Sequence, residues 1–232
     1  MKRSEIHQAL RRMEEMLWKY SISLPDYCAF TPEDWEGKGH DYDEIRDNLL
    51  GWDITDYDLG RFRELGFSLI TLRNGNWKMA SKYPKTYAEK LLYLEEGQYA
   101  PMHFHFSKME DIINRAGGNV LIRVYNSHPD ESIDYESKVT VHLDGCVRVV
   151  PAGTQICLKR GQSITIPPRL YHDFTVQSGG GPVLLGEVSQ VNDDANDNRF
   201  EPPMGRFPTI EEDEPPYRLL CNEYPAAAEG RE

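Results

Sequence analysis

Gly97-Gln98-Tyr99-Ala100-Pro101-Met102-His103-Phe104-His105-Phe106-Ser107-Lys108-Met109-Glu110 is the stretch on which the reading of this chain turns. It follows a Glu96-Gly97 turn signal, and Tyr99–Phe106 reads as a strand. Side chains of a strand alternate between faces, so His103 and His105 project from the same face. Two imidazoles spaced in that way can bind one ion without bending the backbone. Glu110 adds a carboxylate just beyond them. His172, on another predicted strand after Pro167-Pro168, offers a fourth ligand from a distant part of the chain. Three neutral imidazoles and a carboxylate suit Mn, Fe, Co, Ni or Zn far better than Ca or Mg. Four ligands on an octahedral ion leave two adjacent positions open to a substrate. Taken alone, a His-x-His pair on a strand is more often a surface or packing feature than a metal site.

Outward from this stretch, residues 65 to 190 read as β structure. The predicted strands are Leu65–Arg73, Lys90–Leu94, Tyr99–Phe106, Asn119–Tyr125, Lys138–Leu143, Cys146–Val150, Thr154–Leu158, Ser163–Ile166, Tyr171–Val176 and Val183–Ser189. Turn signals separate them, including Asn74-Gly75, Gly117-Gly118 and Asp144-Gly145, the last a strong hairpin signal. Many short strands so spaced imply an antiparallel sandwich or barrel.

The flanks differ in character. Residues 1 to about 60 read as a helical, irregular layer. Ile6, Leu10, Met13, Leu17 and Tyr20 recur at helical spacing, which predicts an amphipathic helix over Ser4–Tyr20. Thr31-Pro32-Glu33-Asp34 is a helix start, and Asp41–Leu50 is a second helical segment closed by Gly51. Residues 191 to 232 are rich in Asn, Asp, Glu and Pro, yet Phe200, Phe207, Tyr217, Leu220 and Tyr224 predict a docked tail with a frayed Ala-rich end. The three zones together form one domain over 1–232.

The chain has 232 residues and a formal net charge of −12, which disfavours nucleic-acid and anionic-membrane partners. No apolar run approaches the ~20 residues that span a bilayer. The charged N-terminus is not a signal peptide. Cys28, Cys146, Cys157 and Cys221 are widely spaced, with no Cys-x-x-Cys pair, so they are expected to be reduced and buried in a cytoplasmic protein. His7, His40, His128 and His142 are expected at the surface.

Gly97, His103, His105, Glu110 and Gly117 fall at every fixed position of the first cupin motif, G-x5-HxH-x3-4-E-x6-G. Gly161, Pro167 and His172 match the second, G-x5-PxGxxH-x3-N, which fails at Arg169 and Val176. The resemblance implies a cupin: a double-stranded β-helix, or jelly-roll-like barrel, with an ion inside. Nearly the whole chain also resembles the D-lyxose isomerases of the cupin sugar-isomerase type. MKRSEI and RRMEEMLWKY near the N-terminus, GWDITD at 51–56, PMHFHFSKMEDIINR at 101–115, NDNRF at 196–200 and GRFPTIEEDEPPYRLLCNEYP at 205–225 carry that resemblance. It implies a metal-dependent aldose–ketose isomerase, typically with Mn²⁺, that interconverts D-lyxose with D-xylulose and often D-mannose with D-fructose. It also implies a homodimer.

Such a reaction moves a hydrogen between C1 and C2 of the sugar. A divalent ion polarises the carbonyl, and a base shuttles the proton through a cis-enediol, or a hydride shifts directly. Lys108 lies beside the ligand set and can donate to a sugar oxygen. Glu201, in the tail, is a candidate base or sugar ligand if the tail folds over the barrel mouth. Glu187 is in phase with Val183 and Leu185, which predicts an inward-facing carboxylate and another base candidate. Asp193 and Arg206 are candidates to hold the distal sugar hydroxyls. An Fe(II) dioxygenase and a non-catalytic sugar-binding cupin use the same kind of barrel, because fold alone does not set the reaction.

Overall fold

The structure, a computed structural model, describes residues 1–194 and 196–228. Helix α1 (Arg3–Lys19) forms where the periodicity places it. The Glu5 carboxylate accepts from the Lys2 backbone N–H at 2.9 Å, and Ile6, Leu10, Met13 and Leu17 are buried along one face. Helix α2 (Pro32–Glu36) starts on a reciprocal Thr31–Asp34 cap. The predicted 41–50 helix shrinks to α3 (Asp43–Asp47) after a 3-10 turn. The chain then reverses at Leu49, with φ of 51°, and at Gly51, where a Cβ would sit 2.0 Å from the Tyr224 hydroxyl.

The strands are β1 (Gly51–Thr55), β2 (Phe67–Arg73), β3 (Tyr87–Leu94), β4 (Tyr99–His105), β5 (Glu110–Gly117), β6 (Val120–Ser127), β7 (Ile133–Asp134), β8 (Val139–Leu143), β9 (Cys146–Val150), β10 (Gln155–Leu158), β11 (Ser163–Ile166), β12 (Tyr171–Val176), β13 (Val183–Gln190) and β14 (Asn198–Phe200). They form two curled antiparallel sheets, ordered β1-β2-β3-β13-β5-β11-β8-β9 and β10-β6-β12-β4-β14, with β7 beside β6.

Four strands escape the sequence reading: the two-residue β7, and three others for identifiable reasons. β1 lies in the zone read as helical and irregular, but it pairs with β2 and is buried throughout, so it shows no alternation. β5 carries Glu110 and Asn114 on its buried face, which blurs its apolar pattern. Asn114 is tolerated there because its amide donates to the Gly118 and Leu158 carbonyls, each at 2.9 Å. β14 lies in the tail and is recruited by β4.

Two apolar cores result. One fills the barrel between the sheets and includes Leu92, Ile112, Ile122, Val141, Ile164 and Phe174. The other lies between α1 and the outside of the larger sheet and includes Leu10, Met13, Ile70, Tyr93 and Leu184. The tail straps this second layer down. Arg3 pairs with Glu212 and Glu223, and Ser4 donates to Asp213. His7, expected at the surface, is buried here instead, because it pairs with Glu214 and accepts from the Tyr217 backbone N–H at 2.8 Å. The other three surface histidines are exposed. Ala228 N–H donates to the Lys38 carbonyl, so the Ala-rich stretch is tied down to that point, and 229–232 lie outside the described residues. Cys28 and Cys221 are buried, whereas Cys146 and Cys157 are exposed on edge strands, a correction to the expected burial. No described helix is long and apolar enough to cross a membrane. Leu10→Ala should open a cavity under α1 and lower unfolding free energy by about 2–5 kcal/mol in a urea titration.

Candidate active site

Strand pairing assembles the histidines. β4 lies between β12 and β14, and His172 sits opposite His103 in the antiparallel register. Paired residues share a face, so His103, His105 and His172 all point into the barrel. Their ligand atoms lie within 4.8 Å of one another. His103 Nδ1 lies 2.8 Å from the Pro101 carbonyl and His172 Nδ1 lies 3.0 Å from that of Leu170, which places the proton on Nδ1 and leaves Nε2 bare. The turn before His172 differs from the motif at Arg169, which takes the left-handed φ of 64° that glycine adopts freely. That backbone costs roughly 1–2 kcal/mol. Offsetting contacts come from its guanidinium, 5.1 Å above the Phe104 ring, and its N–H, which donates to the His105 carbonyl at 2.8 Å.

Glu110 opens β5 of the larger sheet and points into the barrel toward the histidines. Its carboxylate is 3.3 Å from His105 Nε2, 3.1 Å from His172 Nε2 and 2.7 Å from Lys108 Nζ. Burial alone would raise its pKa, but Lys108 and His105 outweigh burial and hold it well below the usual range. Burial lowers the pKa of His103 and His105, and the neighbouring imidazoles and Lys108, respectively, lower them further. The two rings therefore stay neutral at physiological pH, as metal binding requires. Both ring nitrogens of His105 and Nε2 of His172 are buried without a hydrogen-bond partner. Buried polar atoms are rarely left so, and a divalent transition metal would satisfy one nitrogen of each ring. The triad, with Glu110 beside it, could hold such an ion.

Lys108 is buried against this set. Asp197 accepts from the Ser107 N–H, the Ser107 hydroxyl and the Lys108 N–H at 2.8, 2.6 and 3.0 Å, which folds the turn so that Lys108 points inward. Its ammonium reaches Glu110, Glu187 at 2.9 Å and Asn192 at 3.2 Å. Burial disfavours the charge, but Glu110 and Glu187 more than compensate, and the pKa is raised. Glu187 faces inward as its phase predicted and also lies 3.6 Å from Lys90. The open space, about 520 Å³ including solvent at its mouth, is also lined by the aromatic side chains of Tyr57, Phe67, Phe174 and Phe200.

Arg206 reaches the cavity from the tail. It pairs with Asp53 of β1 and, at 3.0 Å, with Asp194. Burial would raise Asp194, but Lys90 and Arg206 hold its pKa well below the usual carboxylate range. Asp193 and Glu201 are not brought into the cavity. Asp193 binds the Asn196 amide and turns away, so its neighbour Asp194 supplies the carboxylate. Glu201 is exposed and pairs with Arg199 at 3.2 Å. Sequence reasoning missed Lys90, Asp53 and Asn192. Lys90 had a visible signal: it is in phase with Leu92 and Leu94 on an inward face.

A sequence model of the D-lyxose isomerase family matches residues 1–224. The chain is 43% identical over 225 residues to a D-lyxose/D-mannose isomerase of Escherichia coli O157:H7, covering 97% of this chain and 98% of that one. It is 44% identical, with the same coverage, to a D-lyxose/D-mannose isomerase of Serratia proteamaculans. The chain belongs to the D-lyxose isomerase family. Membership makes it a sugar isomerase, an enzyme class that interconverts aldoses and ketoses. The fold agrees: L-ribose isomerase from Cellulomonas parahominis, solved with L-ribose, superposes with a TM-score of 0.53 at 15% identity over 98% of this chain and 97% of that one. L-ribose isomerase from Acinetobacter sp. DL28, also with L-ribose, gives a TM-score of 0.52 at 14% identity over 86% and 92% of the two chains. Such low identity speaks to the cupin barrel alone.

Arg206→Met should strand Asp53 without a cation and leave Asp194 only Lys90, 3.7 Å away, at a cost of about 3–5 kcal/mol, read as a lower unfolding midpoint at neutral pH. The sign with pH follows from the depressed Asp194 pKa. The native pair stabilises above the unfolded Asp value of about 3.9, and this contribution is lost as pH falls through the lower folded value. The gap between wild type and variant should therefore narrow on acidification.

Proposed function

We propose that the cavity is the active site of a metal-dependent aldose–ketose isomerase, acting in the cytoplasm as a homodimer. Its substrates are D-lyxose, converted to D-xylulose, and D-mannose, converted to D-fructose. His103, His105, His172 and Glu110 hold the ion, which we take to be Mn²⁺, with Zn, Fe, Co or Ni as substitutes on the same donors. The observation that carries the reading is the set of buried, partnerless imidazole nitrogens beside a carboxylate and a lysine inside the barrel. The substrate names rest on relatives that align over almost their whole length.

A divalent ion bound there supplies Lewis-acid polarisation of the sugar carbonyl. The protein's own groups do the rest. Glu187 takes the proton from one carbon and returns it to the next through a cis-enediol. We assign this role to Glu187 rather than Glu201 because Glu187 is 5% exposed inside the cavity, whereas Glu201 is turned to Arg199 at the surface. Lys108, kept as an ammonium by its two carboxylates, donates to the oxygen on which negative charge develops. Arg206 and Asp194 face the distal hydroxyls, and the aromatic lining excludes water. Formal charges in the cavity region are three cations (Lys90, Lys108, Arg206) against four carboxylates (Asp53, Glu110, Glu187, Asp194), so a divalent ion would reverse the net sign. A net positive site favours an enediolate-like transition state.

Chelator-treated protein given D-lyxose or D-mannose should form ketose only after a divalent metal is added back. Absence of ketose with folded, metal-loaded protein overturns the assignment. His105→Ala should lose bound metal, measured by elemental analysis, together with activity. Glu187→Gln should keep its metal and lose turnover by ~100-fold or more. An unchanged turnover there would return the base role to Glu201.

A further inference from the structure

One short loop holds all three cavity cations. Directly after β13, Asn192 accepts from Lys108 Nζ at 3.2 Å, while Asp194 pairs with Arg206 at 3.0 Å and lies 3.7 Å from Lys90. This loop has little regular structure of its own, so something else must place it. The turn after β2 does so. Asn74, 6% exposed, grips the backbone of Asn192 from both sides. Its Oδ1 accepts from the Asn192 N–H at 2.9 Å, and its Nδ2 donates to the Asn192 carbonyl at 3.0 Å. Asn74 is itself held, since Asn48 Nδ2 donates to its carbonyl at 3.2 Å. The neighbouring Gly75 lets the two segments touch: a Cβ there would fall 2.6 Å from Val191 and 1.9 Å from the Lys85 carbonyl.

We propose that Asn74 is a positioning residue for the isomerase, acting through Asn192 to set the place of Lys108. It does not line the histidine cavity, although it borders an adjoining hollow with Asp194 and Arg206, and its side chain is spent on the loop backbone. The effect on chemistry comes through geometry, because Lys108 is useful only where it meets the developing oxyanion. An ångström of misplacement is enough to matter. The proposal rests on the isomerase reading above, in which Lys108 acts on the sugar.

The test compares Asn74→Ala, Asn192→Ala and the double variant, all as metal-loaded full-length protein. Asn74→Ala should lower kcat by ~10–100-fold, with KM changing far less and metal content unchanged. Asn74→Asp keeps the acceptor for the Asn192 N–H and should recover part of the loss. Both changes act on one route, so the double variant should be no worse than the poorer single one. In parallel, an amine-acetylating reagent followed by peptide mass spectrometry should modify Lys108 faster in Asn74→Ala than in wild type. Should Asn74→Ala fail to fold, Asn192→Ala carries the same kcat and labelling expectations. Multiplicative losses, or a lower unfolding temperature with unchanged kcat and labelling, would overturn the proposal. If wild type forms no ketose with any metal, the isomerase reading fails, and the labelling rate alone decides the positioning claim.

Discussion

The buried ammonium of Lys108 is the contact on which the site depends. It touches Glu110 at 2.7 Å and Glu187 at 2.9 Å in a cavity where an unpaired charge would be prohibitively costly. The lysine holds Glu110 ionised, and Glu110 and Glu187 together hold the lysine charged. Glu110 in turn lies 3.3 and 3.1 Å from the Nε2 atoms of His105 and His172. Remove the ammonium and the two carboxylates repel in a medium that screens them poorly.

The fold supplies what this charge group requires. Two antiparallel strands, β4 and β12, bring the histidines to one face, and the larger sheet brings Lys90, Glu110 and Glu187 to the opposite wall. The barrel core on one side and the α1 layer on the other bury both faces of β2, β3 and β13. This double burial makes the wall rigid enough to hold charges at defined distances. The tail closes the assembly twice, first by adding β14 beside β4 and then by strapping α1 through Glu212, Asp213, Glu214 and Glu223. Between those two contacts it delivers Arg206.

Family membership and geometry answer different questions. The relatives identify the chain as a sugar isomerase, and the barrel architecture is shared with L-ribose isomerases at low identity. Which groups stand where is a property of this chain's own packing. Asp194 rather than Asp193 faces the cavity: Asp194 pairs with Arg206, whereas Asp193 accepts from the Asn196 amide, a choice that local chemistry cannot announce.

Local periodicity and spacing by themselves determined α1, the Thr31 cap, ten of the strands to within a few residues, the shared face of His103 and His105, and the inward phase of Glu187. These features depend on neighbours one to four residues apart, and such neighbours are visible in any sequence. Tertiary structure alone decided the rest. β1 shows no alternation because both of its faces are covered, and β5 is masked by its own buried Glu110 and Asn114. His7 is buried because a segment two hundred residues away lies over it, and Glu201 is exposed, paired with Arg199. Lys90, Asp53 and Asn192 gain their meaning only from partners that are remote in sequence. A polar residue's role is set by the charge it meets after folding, and that meeting is not written in its own stretch of chain.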